Sequence, residues 1–152
     1  MVIEKPVAEV YAHLDWADPR NCKRELGNEV ASVEGAHNRF RLIMDGLPDH
    51  LFEIMVVDET PHATYAFTSE ACPMIGRLVK MKELYSLEPL TRSSCRVTLV
   101  ATATFVDAMR LKDFKHEVMT MGVACRNALA KLKIHAEAGV EAVRAMDDQR
   151  II

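Results

Sequence analysis

The sequence predicts an α+β fold in which an antiparallel sheet packs against one long C-terminal helix. Three observations carry this expectation. Between residues 28 and 106, apolar and polar residues alternate in six segments. The links between those segments are short and rich in turn formers, and beyond residue 113 the apolar spacing changes to steps of three and four. Short links imply antiparallel neighbours, because parallel pairing needs a crossover of roughly a dozen residues or more.

The chain of 152 residues reads as a single domain, 1–152, able to bury roughly 70% of the surface its unfolded form exposes. "PVAEVYAHL" begins with a proline suited to a first helical position, and Val7, Val10, Tyr11 and Leu14 then share one face. In "DPRNCKREL", Asp18 is the expected cap and Pro19 the first-turn residue of a second short helix ending near Gly27.

Six strands follow, over residues 28–35, 38–46, 51–59, 63–70, 80–89 and 95–106. In the last, Val97, Leu99, Ala101, Ala103 and Phe105 make a dry face opposite Arg96, Thr98, Thr102 and Thr104. Phe40, Leu42 and Met44 oppose Arg39, Arg41 and Ile43, and Phe52, Ile54 and Val56 oppose Glu53, Met55 and Val57. The final helix carries a stripe of Phe114, Val118, Met121, Cys125, Ala128, Leu132 and Ala136. From Asp113 to Gly139 it would run roughly 40 Å, enough to cross the dry face of the sheet. Gly139 is placed to stop or bend it, leaving 140–152 as a helical extension or tail.

Nineteen basic and 22 acidic residues give a formal charge of -3, with no broad positive field for nucleic acid. No apolar run approaches the roughly 18 residues of a membrane span, and no secretory leader is readable, so a cytoplasmic location is the default. The four cysteines form no C-x-x-C and are expected as reduced thiols. No phosphate-cradling glycine motif and no nucleophile elbow occurs.

These residues resemble the START-like (SRPBCC) superfamily, which includes birch-pollen-allergen-like, polyketide cyclase/dehydrase and lipid-transport families. "KPVAEVYAHLDWADP" looks like its opening, "VVDETPHATYAF" its central hairpin, "TRSSCRVTLVATATF" its penultimate element and "GVACRNALAKLKIHAEAG" its closing helix. The resemblance implies a helix-grip fold: a curved antiparallel sheet of about seven strands wrapped around the long helix, with two short helices after the first strand. It also implies an apolar or amphipathic small molecule held between sheet and helix. The sequence departs from the family in its short first strand, "MVIE", and in Trp16, which precedes the Asp-Pro element instead of following it.

Within such a cavity, Glu83 and Tyr85 are the candidate catalytic pair, because a half-buried carboxyl with a raised pKa suits proton transfer. An edge carboxylate in water is the plain alternative. Arg39 is a candidate anchor for a ligand carboxylate at the mouth, or else part of a solvated charge ladder with Arg41 and Glu53. Phe40, Leu42, Phe52, Ile54, Tyr65, Phe67, Met81, Leu99, Val118, Met121 and Cys125 are expected to line the pocket. Met74 and Ile75, in "CPMIGRLVK", are a candidate lid.

No metal or cofactor set is readable. His116 and Cys125 fall on opposite sides of the long helix, and His37, His50 and His62 lie at turns. Three functions stay open: small-molecule binding, cyclase/dehydratase-like catalysis, and a protein-interaction or homodimerisation module with a collapsed cavity.

Overall fold

The computed structural model describes residues 1–148. Its elements are β1 (Val2–Ile3), α1 (Val7–Leu14), α2 (Cys22–Glu25), β2 (Glu29–Val33), β3 (Ala36–Met44), β4 (Leu47–Thr60), β5 (Thr64–Cys72), β6 (Leu78–Pro89), β7 (Cys95–Phe105), α3 (Leu111–Ala138) and α4 (Val140–Asp148). The seven strands form one antiparallel sheet in the order β1-β7-β6-β5-β4-β3-β2. This is the helix-grip arrangement expected from the resemblance. No described helix is long and apolar enough to cross a membrane.

Register sets the inner face. Phe40 and Leu42 pair with Ile54 and Phe52, Phe67 with Glu83, and Tyr85 with Leu99, so these residues look to one side. Register shifts occur within β2, β3, β4 and β6, and such irregularities bend strands and increase their twist. β4 starts earlier than the sequence suggests: only Asp45 and Gly46 turn, and residues 48–50 bulge between the Ile43–Leu51 and Met44–Leu47 pairs. Pro48 therefore sits where no ladder bond is required of it.

α2 begins later than expected. The Asp18 carboxylate is occupied by the Arg20 backbone N–H (2.8 Å) and guanidinium (2.8 and 3.0 Å). Asn21 caps the turn instead, accepting from the Lys23 N–H at 3.0 Å while its amide donates to the Leu14 carbonyl at 3.1 Å. That side chain fixes α2 against the end of α1.

α3 spans 28 residues, about 42 Å at 1.5 Å per residue. It packs on α1, β1 and β7, and its buried residues, Leu132, His135 and Ala136, all belong to its C-terminal half. The apolar stripe is thus half used. Leu111, Phe114, Val118, Met119 and Val123 in the first half are exposed. At Gly139 the backbone turns at φ +86°, and α4 folds back so that Val143 is fully buried. The expected extension is helical to Asp148; Ile151 and Ile152 lie outside the described residues.

Candidate functional site

A cavity of about 250 Å³ lies between the sheet and the helices. Its apolar wall comes from Leu42 and Met44 on β3, Phe52 and Ile54 on β4, Phe67 on β5, Leu132 on α3 and Val143 on α4. α1, α2 and the link between them close one side with His13, Leu14, Trp16, Cys22 and Lys23. Met44 and Phe52 border this space without filling it, which argues against the collapsed-core alternative.

Among the polar side chains in this wall, Glu83, Tyr85, Lys23 and Lys131 form one group. Glu83 projects inward from β6, and the Tyr85 hydroxyl donates to its Oε2 at 2.7 Å. Burial raises the Glu83 pKa, while the Tyr85 hydrogen bond and the charge of Lys23 partly oppose the rise. Burial likewise pushes the Tyr85 hydroxyl well above the ordinary tyrosine range, and the Glu83 charge adds to this. Lys23 has its pKa lowered by burial and by Lys131. Lys131 has an anion, Asp147 at 2.7 Å, whereas the Lys23 ammonium lies 4.0 Å from the Met44 sulfur.

Trp16 supplies the cavity wall despite its displaced position in the sequence. Its backbone carbonyl accepts from Arg24 Nε (3.1 Å) and Nη2 (2.8 Å), and Arg24 Nη1 also donates to the Val30 carbonyl at 3.0 Å. The loop is tied to β2 in this way. The indole Nε1–H is buried and meets no acceptor among the described residues. A buried donor without a partner costs about 1–3 kcal/mol.

Of the residues expected to line the pocket, Leu42, Phe52, Ile54, Phe67, Glu83 and Tyr85 do so. Others need correction. Arg39 alternates to the opposite face of β3, in a separate pocket of about 280 Å³ with Arg41, Glu53 and Lys80, and does not line the cavity between sheet and helices. Tyr65 is fully buried; its hydroxyl accepts from the Trp16 N–H (3.0 Å) and donates to Asp15 Oδ1 (3.2 Å), bracing the loop instead of meeting the cavity. Phe40, Met81 and Leu99 pack in the core outside the cavity lining.

On α3 the cavity wall begins at Ala128. Val118 is 47% exposed, and Met121 and Cys125 are half-buried outside the lining, because the first half of the helix stands away from the buried core. Met74 and Ile75 sit in the short turn between β5 and β6, exposed and away from the cavity, so they form no lid.

The residues that sequence spacing concealed are Lys23, His13, Cys22 and His135. His13 Nδ1–H donates to the Arg20 carbonyl at 2.9 Å, and His135 Nε2 is hydrogen-bonded to the Glu25 carboxylate. The two rings meet edge to face with centroids 4.9 Å apart. Burial pushes the nearby Cys22 thiol up to about 12. The usable signal was His13 beside Leu14 on α1, near the buried face; nothing in the spacing joins it to α3.

Comparison with solved structures identifies the architecture. The di-domain ARO/CYC BexL from the BE-7585A biosynthetic pathway superposes with a TM-score of 0.72 at 18% identity, over 90% of this chain and 44% of that one. The fold is START-like. A START superfamily protein from Mycobacterium smegmatis aligns over 87% of this chain and 89% of its own, with a TM-score of 0.60 and 13% identity. DynU16, from the dynemicin biosynthetic locus, aligns at 0.63 and 16% identity over 91% of this chain and 46% of that chain. This chain spans less than half the length of BexL and of DynU16. No protein-family model and no curated protein matches the sequence.

Proposed function

We propose that the protein binds an amphipathic small molecule in the cavity between the sheet and the C-terminal half of α3. The observation that carries this reading is a largely apolar cavity of about 250 Å³ with the half-buried Lys23 in its wall. Apolar walls with a few convergent polar groups are the usual make-up of a small-molecule site. The ligand's apolar body lies along Leu42, Phe52, Ile54 and Phe67. Its polar end, a carboxylate, meets Lys23, the task first assigned to Arg39. The ARO/CYC and START structures that share the fold support a small-molecule role. A cytoplasmic setting agrees with four unpaired thiols.

The test is equilibrium binding of two fluorescent probes that share one aliphatic chain and differ in ending as carboxylate or alcohol. A hydrogen bond to a charged group contributes about 1.5–3 kcal/mol, roughly ten- to a hundredfold in affinity. The carboxylate should bind tighter by that factor, and Lys23→Met should erase the difference. No binding of either probe would sink the proposal.

A second reading, a cyclase/dehydratase-like enzyme, is favoured by one observation. Glu83 is a half-buried carboxyl with a raised pKa beside a tyrosine hydroxyl, the combination that suits general acid–base work. Confining a flexible substrate beside that pair would remove part of the entropic barrier to ring closure. Glu83→Gln would then abolish turnover and leave probe binding intact.

A further inference from the structure

We propose that His13, Cys22 and His135 form a binding site for a divalent transition-metal ion of the zinc class in the cavity wall. One residue comes from each of three helices, α1, α2 and α3, and their donor atoms all lie within 4.8 Å of one another. A tetrahedral zinc ion with Zn–N near 2.0–2.1 Å and Zn–S near 2.3 Å sets its ligands roughly 3.4–3.8 Å apart. The three donors therefore need to close by about an ångström, within the reach of side-chain rotation.

The arrangement around the rings supports coordination. Each imidazole already has one nitrogen committed to an oxygen: His13 Nδ1 to the Arg20 carbonyl at 2.9 Å and His135 Nε2 to the Glu25 carboxylate. A nitrogen that donates its proton this way leaves the lone pair on the other nitrogen and fixes the ring. Oxygen acceptors of this kind orient histidine ligands in metal sites.

Both histidine side chains are well buried, 2% exposed for His135 and 10% for His13, and Asn21 holds the turn that carries Cys22. The three donors are thus held near one another. Two imidazoles and one thiolate suit zinc-class ions in preference to magnesium or calcium, which take oxygen ligands. On coordination, the Cys22 thiol loses its proton to solvent and no electrons are transferred. Because all three residues line the cavity, the fourth position would open to it. This proposal does not depend on the small-molecule reading.

The test is titration of the full chain, after treatment with a chelator, with Co²⁺ as the coloured surrogate and Zn²⁺ as competitor. One equivalent of Co²⁺ should bind, giving visible bands together with a near-ultraviolet thiolate-to-metal charge-transfer band, and Zn²⁺ should bleach both. Cys22→Ser should remove the charge-transfer band, and His13→Gln should weaken affinity at least tenfold. His135 is too buried to serve as the first variant, and circular dichroism checks that the other two remain folded. Wild-type protein that takes up neither ion at about 100 μM, or a Cys22→Ser spectrum identical to wild type, would overturn the site.

Discussion

Replacing Tyr85 with phenylalanine removes a single oxygen, the one that donates to Glu83 Oε2 at 2.7 Å. A bond to an ionised acceptor contributes about 1.5–3 kcal/mol, and one between neutral partners about 0.5–1.5 kcal/mol. The loss should therefore grow as Glu83 ionises. Glu83 has a folded-state pKa above its ordinary value of 4.5. Its contribution to stability is thus complete below the unfolded value and is lost as pH rises through the folded one. Tyr85→Phe lifts the folded pKa further, so this loss extends to higher pH and ends deeper. For a chain of this size 1 kcal/mol shifts Tm by about 2–4 °C, which gives a fall of roughly 3–12 °C at pH 9 and roughly 1–6 °C at pH 4. Thermal denaturation of both proteins across pH, with ¹³C NMR of the labelled Glu83 carboxyl, measures the two quantities. An equal Tm loss at both pH values, or a Glu83 carboxyl that titrates lower in Tyr85→Phe than in wild type, would refute the reasoning.

Other substitutions separate scaffold from site. Glu83→Gln keeps an acceptor for Tyr85 and removes the buried charge, so its urea-unfolding stability should lose the fall that wild type shows as pH rises above 4.5. Tyr65→Phe frees the Trp16 N–H and Asp15 from the fully buried hydroxyl; chemical denaturation should record a loss of about 1–3 kcal/mol, with probe affinity little changed. Gly139→Ala places a side chain at φ +86°, ψ 175°, where glycine alone is at ease, and should cost about 1–3 kcal/mol by the same measurement. Ala128→Trp fills the cavity from α3 and should abolish probe binding while circular dichroism shows the helices retained.

How far the sequence reaches depends on the range of the interaction. Strand alternation is local, so the inner faces of β3 to β7 were legible residue by residue, including Leu42, Phe52, Phe67 and Glu83. The α3 stripe was also legible as a period, but a period names a face and not its partner. Val118 and Phe114 lie on that stripe and remain exposed because the helix leaves the buried core before reaching them. Arg39 shows the other limit: alternation puts it opposite Phe40 and Leu42, and the pocket on that side is separate from the cavity between sheet and helices. The contacts around His13, Cys22 and His135 depend on how α1, α2 and α3 converge, and the His135–Glu25 bond spans 110 residues. No periodicity encodes such a separation.

The central claim, that the cavity is a working ligand site, is tested most directly by native mass spectrometry of wild type and Ala128→Trp, each incubated with the carboxylate probe. The account predicts a one-to-one complex for wild type and the bare mass for Ala128→Trp. Complexes of equal abundance in both, or in neither, would contradict it.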